Sequence, residues 1–337
     1  MIPVFRPTIK RKEMDSVLTT LVSDVIGPGP VGEELVKVFA DKLSAGGGFA
    51  FATYPDAIGL ALSSLDLESG SSVVISALSP AFYLDELARF GLEASIIDVS
   101  EENGSLFIPD ALRAIEEGAK AVLLHYPLGF IPETEPLVEA GVPLIEDVTS
   151  AFGGHDGSRL CGTAGDYAVI GLEPNHLITA GEGALVIARG RKQLSRLKQS
   201  VEGSLCARLM PDFCAALALV QLKESEGYFE RRKELAALFS KAVMKGRHNM
   251  LVQPGEGENV HYSFPIMIES SVKDVGSYAR KKGVETCLAF ADSVMESMDD
   301  GFPKARQFML RCLLFPLYPM LGKSQAEQIS KVLSTLP

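Results

Sequence analysis

Short apolar runs recur along the first two-thirds of the chain, separated by segments long enough for a helix. FAFA (49–52), VVIS (73–76), ASIID (94–98), AVLLH (121–125) and VPLIED (142–147) show little polar alternation, the pattern of strands buried on both faces. The stretches between them, near 56–66, 81–90, 109–117 and 133–140, read as helices. Strand and helix alternating in this way predict right-handed crossovers and a mostly parallel sheet flanked by helices on both sides. YAVIG (167–171) and ALVIA (184–188) complete a seven-stranded set. No helix separates these two, so the sheet is expected to gain an antiparallel member.

Ahead of the first strand, Met14, Val17, Leu18, Leu21 and Val22 repeat at helical spacing. They predict an amphipathic helix over 11–23 that stops at the turn IGPGP (26–30). A second helix follows, with Leu35, Val36, Val38, Phe39 and Leu43 on its apolar face. Beyond the sheet, 213–245 reads as one long helical region leading into a smaller unit. There HYSFPIMIES (261–270), a helix near 272–282, and LLFPLYPML before a final helix indicate a compact α+β arrangement. The expected division is a large domain over 1–240 and a small C-terminal domain over 241–337.

Composition narrows the partners. Of 337 residues, 47% are hydrophobic and 22% charged, ordinary values for a globular chain that can bury two cores. With a net charge of −11, and basic residues in short groups such as Arg231-Arg232 and Lys281-Lys282, neither nucleic acid nor anionic membrane is an expected partner. A small molecule or a protein is. The opening MIPVFRPTIKRKEMD lacks the apolar core of a secretory signal, and no apolar run reaches the ~18 residues of a membrane span, so a cytoplasmic location is expected.

Five cysteines (Cys161, Cys206, Cys214, Cys287, Cys312) without C-x-x-C spacing argue against a disulfide framework and against zinc. Five histidines (His125, His155, His176, His248, His261) are too dispersed for a local metal motif, and no metal site is expected. Gly46-Gly47-Gly48 precedes a strand and does not follow one, so it is not a dinucleotide fingerprint.

Candidate chemistry lies at strand ends, because ligands of open parallel sheets bind outside the carboxyl ends of the strands. Asp147 ends VPLIED, an acidic residue held at the edge of an apolar strand, and His125 ends AVLLH. His176 stands at the centre of LEPNHLITAGEGALVI (172–187), between a strand end and a Thr-Ala-Gly-Glu-Gly turn.

Taken in order, IPVFRPTI, GPGP, LIEDVTSAFGG, GTAGDYAVIGLEPNHLITAGEGALVIA, the ALALVQL helix and PLYPML resemble the DegT-type sugar aminotransferases, which use pyridoxal phosphate, over about residues 2 to 334. The resemblance implies the aspartate-aminotransferase type I fold, a nucleotide-sugar substrate, and a homodimer with sites at the subunit interface. It places Asp147 where a carboxylate pairs with the pyridine nitrogen of the cofactor, and Ser150 where the family has a glutamine beside it. His176 falls on the Schiff-base lysine. Imidazole cannot form that adduct, and no lysine occurs between Lys120 and Lys192.

One branch of the family carries histidine at this position, holds pyridoxamine phosphate non-covalently, and removes a sugar C3 hydroxyl with the histidine as base. PNHLITAGEG resembles that branch. Elsewhere the correspondence departs from the family. Thr53-Tyr54-Pro55-Asp56 stands where Ser-Gly-Thr binds the phosphate, Pro80 or Phe82 where an aromatic stacks on the ring, Gly171 at a phosphate-binding serine, and Ala207 at an asparagine supplied by the partner subunit. The cofactor contacts expected from the resemblance are Asp147, Ser150, Thr53, Tyr54 and Phe82. Three functions follow as expectations: a sugar-nucleotide aminotransferase family member, a histidine-type 3-dehydratase, or a non-catalytic binding or assembly protein on the same scaffold.

Overall fold

Strand and helix alternate as the apolar runs require, in a computed structural model that describes residues 1–204, 208–298 and 301–337. Helices α1 (Arg11–Leu21) and α2 (Pro30–Lys42) lead to β1 (Gly47–Phe51) and α3 (Tyr54–Ser63). Then come β2 (Ser72–Ser76), α4 (Phe82–Arg89), β3 (Glu93–Ile97), α5 (Ile108–Glu116), β4 (Ala121–His125), α6 (Glu135–Glu139) and β5 (Leu144–Asp147). A short hairpin, β6 (His155–Asp156) and β7 (Arg159–Leu160), precedes β8 (Tyr167–Gly171) and β9 (Ala184–Ala188).

The sheet order is β1-β9-β8-β5-β4-β2-β3. β9 runs antiparallel to both its neighbours, β8 and β1, as the missing crossover helix between β8 and β9 demands. The other pairs are parallel. One face packs Leu35 and Phe39 of α2 with Val122, Leu124 and Ile170, and the opposite face packs Ile58 and Leu62 of α3 with Val73, Ile75 and Val169. Both faces are buried, which is why the strands read as unbroken apolar runs.

Helix α7 (Arg191–Gly203) follows the sheet. The single helix expected over 213–245 is instead two, α8 (Asp212–Lys223) and α9 (Ser225–Val243), broken at Glu224. They serve different cores. Leu219 and Leu222 of α8 bury against the large sheet, whereas Leu235 and Phe239 of α9 bury against the small one. Glu224 turns outward at the break and pairs with Lys12 at 2.7 Å.

The small sheet has the order β10-β11-β13-β12, from β10 (Asn249–Met250), β11 (Phe264–Met267), β12 (Cys287–Leu288) and β13 (Cys312–Phe315). Helices α10 (Val272–Lys281), α11 (Pro303–Arg311) and α12 (Lys323–Leu333) accompany it. Ile2 joins this core, bridging to Val284.

The first helix carries the predicted apolar stripe but does not bury it. Met14, Leu18 and Val22 are 52%, 59% and 84% exposed, while Glu13 and Thr20 face inward. The Glu13 carboxylate accepts from the Lys10 amide and the Tyr228 hydroxyl.

Arg232 of α9 fastens the turn before β11. Its buried Nη1 donates to the carbonyls of His261, Tyr262 and Leu317 at 3.2, 2.8 and 2.9 Å. Burial lowers its pKa to about 10. Replacing it with methionine leaves three carbonyls without this donor, so Arg232→Met is expected to cost about 3 kcal/mol. A urea titration reads this as a midpoint lower by roughly 1 M.

Candidate functional site

Adjacent strands β4 and β5 end in register, His125 opposite Asp147, which sets an imidazole beside a carboxylate at the carboxyl edge of the sheet. Asp147 is wholly buried. Its Oδ2 accepts short hydrogen bonds from the hydroxyls of Tyr54 and Tyr83. Its Oδ1 accepts from the Thr149 amide at 3.2 Å and the Thr149 hydroxyl at 2.5 Å. His125 Nδ1 lies 3.6 Å from Oδ2, beyond hydrogen-bond length. A carboxylate offers about four acceptor positions, and four donors already fill them.

Burial alone would raise the Asp147 pKa. His125 and the hydroxyls of Thr149 and Tyr54 outweigh it and hold the group at about 2, so it is ionised at neutral pH. The two phenols shift the other way, raised well above their ordinary value by burial and by the Asp147 charge. They therefore stay protonated and remain donors. One buried negative charge organises residues from α3, α4, β5 and the turn after it.

His176 packs against this cluster. Its ring meets Tyr54 nearly perpendicularly, with centroids 5.5 Å apart. Nδ1 accepts the Glu173 amide at 3.0 Å, which puts the proton of the neutral ring on Nε2. Burial pushes its pKa down from 6.5 to about 4, against the pull of Asp147. Gly171 makes room for the ring: a Cβ there would lie 2.6 Å from His176 Cε1.

The start of α3 is committed to its own structure. Thr53 caps the helix, its Oγ1 accepting from the Asp56 amide at 3.2 Å. Pro55 has no amide hydrogen to give. Asp56 pairs with Arg89 at 3.3 Å, and Arg89 also holds Glu86 at 3.2 Å.

Above these residues lies a cavity of about 610 Å³, bounded on its far side by 287–293, which begin with β12 of the small sheet. Tyr54, Ser150 and His176 line it, as do His125, Pro80, Tyr262 and Asp292. Of the residues singled out in the sequence, Asp147 lies beneath this wall, sealed by Tyr54. Thr53 and Phe82 are not among the lining residues. Phe82 instead packs on the rings of Tyr54 and Tyr83, at 5.1 and 5.2 Å. Ala207 lies outside the described residues, as does Cys206.

Tyr83, Thr149 and the 287–293 segment had no distinguishing signal. Tyr83 reads as an ordinary residue in the first turn of a helix, and 287–293 contains no motif. Only His125 was marked, by ending a strand. Among the described residues no group of three or more His, Cys, Asp or Glu side chains could hold a metal ion.

The chain belongs to the DegT/DnrJ/EryC1/StrS aminotransferase family, whose model matches residues 7–334. It is 24% identical to the dTDP-4-dehydro-2,3,6-trideoxy-D-glucose 4-aminotransferase of Saccharopolyspora spinosa, over 98% of this chain and 95% of that one. Among solved structures it superposes on Spr1654 from Streptococcus pneumoniae in its PLP form with a TM-score of 0.89 at 17% identity, covering 99% and 97% of the two chains. The same protein has been solved in a PMP form. GDP-4-keto-6-deoxymannose-3-dehydratase, as a mutant with bound GDP-perosamine, gives a TM-score of 0.88 at 16% identity, covering 99% and 100%. The fold is that of the PLP-dependent sugar aminotransferases, and the family's cofactor is pyridoxal or pyridoxamine phosphate.

The residues present here do not fit that group. A pyridinium N–H needs a free carboxylate oxygen, and both oxygens of Asp147 are taken. The phosphate needs helix-terminal amides and hydroxyls; Pro55 has no amide hydrogen, the Asp56 amide is already donated to Thr53 Oγ1, and the Asp56 carboxylate adds a like charge. A covalent attachment needs an amine, and no lysine is among the described residues that line the cavity.

The buried neutral imidazole carries a pH signature. Its folded pKa lies below its unfolded value, so between pH 6.5 and about 4 the unfolded chain binds a proton that the folded chain refuses. Stability therefore falls as pH drops through that window, by on the order of 3 kcal/mol at most from this residue. Thermal midpoints measured across the window are expected to fall less steeply for His176→Gln than for the parent. Equal slopes would contradict the assignment.

Proposed function

We propose that this chain is a member of the sugar aminotransferase family that binds a ligand in the cleft without pyridoxal phosphate chemistry. The observation that carries the reading is the saturated Asp147 carboxylate: Tyr54 and Tyr83 hold the face on which a pyridine nitrogen would dock. The imidazole at 176 and the self-capped start of α3 support it independently.

Binding without catalysis then rests on the cavity, which the two tyrosines leave open above them. Pyridoxal phosphate added to purified protein is expected to give no visible absorption band and no rise in melting temperature. A ligand at ~100-fold excess over its Kd would add about 2.7 kcal/mol of stability, so even moderate binding is readable. Tight binding of pyridoxamine phosphate, lost in Asp147→Ala, would instead support the histidine-type 3-dehydratase reading. That reading draws on the PNHLITAGEG segment and on a His176 held in its unprotonated form.

We also propose that the protein is a homodimer. The exposed stripe of Met14, Leu18, Leu21 and Val22 on α1 continues into Val25 and Ile26, an apolar face left uncovered while Glu13 and Thr20 are the residues the helix buries. A second copy of this chain is the occupant that satisfies it, with an obligate interface on the order of 2,000 Å² or more. Sedimentation equilibrium at micromolar concentration is expected to give a dimer. Leu18→Glu with Val22→Asp, both exposed, is expected to give a folded monomer; a monomeric parent protein would refute the assignment.

A further inference from the structure

A separate cavity of about 300 Å³ lies at the other edge of the large sheet, where β5 and β8 begin and β9 ends. Leu144 opens β5, Asp166 precedes β8 and Arg189 follows β9, while Lys192, Gln193 and Arg196 reach the same hollow from α7. β5 runs from here to Asp147, so the length of a short strand, roughly 10 Å, separates the two sites.

The charge here runs against that of the chain. Between Glu182 and Glu202 stand five cations, Arg189, Arg191, Lys192, Arg196 and Lys198, and no acid, although the chain as a whole carries −11. Lys198 is answered by Glu202 at 3.7 Å. Among the described residues no carboxylate forms an ion pair with Arg189, Lys192 or Arg196, the three cations that line the cavity. Lys192 and Arg196 stand one turn apart on α7, the spacing at which like charges repel.

The one acid in the lining is occupied by neutral donors. Asp166 Oδ2 accepts the Leu144 amide at 3.2 Å and Oδ1 accepts Gln193 Nε2 at 2.8 Å. Arg189 is anchored by one bond, Nη1 donating to the Ala164 carbonyl at 2.8 Å, which leaves the rest of its donor fork for a ligand. Three cations that repel one another around one hollow are relieved by an anion that reaches all of them. A diphosphate has the charge and the oxygens for this, and a volume of about 300 Å³ has room for it.

We propose that the cavity bounded by Arg189, Lys192 and Arg196 is a binding site for a small polyanion of the diphosphate type, separate from the central cleft. The assignment is independent of what the cleft itself takes up.

The test is calorimetric titration of the full chain with inorganic diphosphate at constant ionic strength, because salt screens exposed charges. One diphosphate per chain is expected, with a dissociation constant below about 1 mM. Inorganic phosphate, which reaches fewer of the cations, is expected to bind at least ten-fold more weakly. Lys192→Glu with Arg196→Glu, both exposed, is expected to weaken diphosphate binding at least ten-fold. Lys37→Glu with Lys241→Glu, exposed and elsewhere on the molecule, changes the net charge equally and is expected to leave binding within two-fold. Equal loss in the two double variants would mean attraction to overall charge and overturn the proposal, as would no binding by the parent. Tighter binding of a hexaglutamate peptide than of diphosphate would make the surface a dock for an acidic segment, which also overturns it. Adding pyridoxal phosphate to the Lys192→Glu, Arg196→Glu protein tests the cleft without this site, so the two assignments can fail separately.

Discussion

The buried negative charge of Asp147 organises the floor of the cavity. A carboxylate removed from water is tolerated only when its lone pairs are answered, and Asp147 draws its answers from across the fold: Tyr54 from the first turn of α3, Tyr83 from the first turn of α4, and Thr149 from the turn beyond its own strand. The arrangement is self-sufficient. In a cofactor enzyme of this fold the corresponding carboxylate would be completed by the ring nitrogen it serves. Here protein hydroxyls and the Thr149 amide complete it, so this buried carboxylate is answered without a ligand.

The scaffold was legible in the sequence because its physics is local and repetitive. Strands buried on both faces must be apolar throughout, so β1 to β5, β8 and β9 declare themselves, and the absence of a helix between β8 and β9 fixes their antiparallel pairing. The break at Glu224 was hidden because neither glycine nor proline marks it: α8 and α9 are both good helices, and what parts them is the separate core each must reach. The exposed stripe of α1 was equally hidden, since periodicity reports that a helix has an apolar face and not what covers it.

For the site the division is different. Asp147 and His176 were found because each stands at a strand end in a recognisable segment, and the fold does bring them to the same ring, that of Tyr54. Tyr54 itself, singled out as a cofactor contact, turns inward to the carboxylate, and Phe82, singled out as a stacking ring, packs behind it. Proximity in sequence to a phosphate loop says nothing about which way a long side chain swings once a buried charge lies within its reach. The cavity's far wall, 287–293, begins in β12 of the small sheet, far along the chain, and could be assigned only in three dimensions.

Gly171 and His176 constrain one another directly. At this position the family resemblance places a serine, and the imidazole of His176 now occupies the volume such a side chain would need, with a Cβ falling 2.6 Å from Cε1 and 3.0 Å from the Thr149 methyl carbon. The glycine and the histidine are thus mutually permissive. Restoring a side chain at 171 while the ring stays in place produces a collision, and moving the ring away while glycine stays leaves a void where it packed. Neither position can therefore be changed alone without a less stable packing, and the two residues act as one coupled unit.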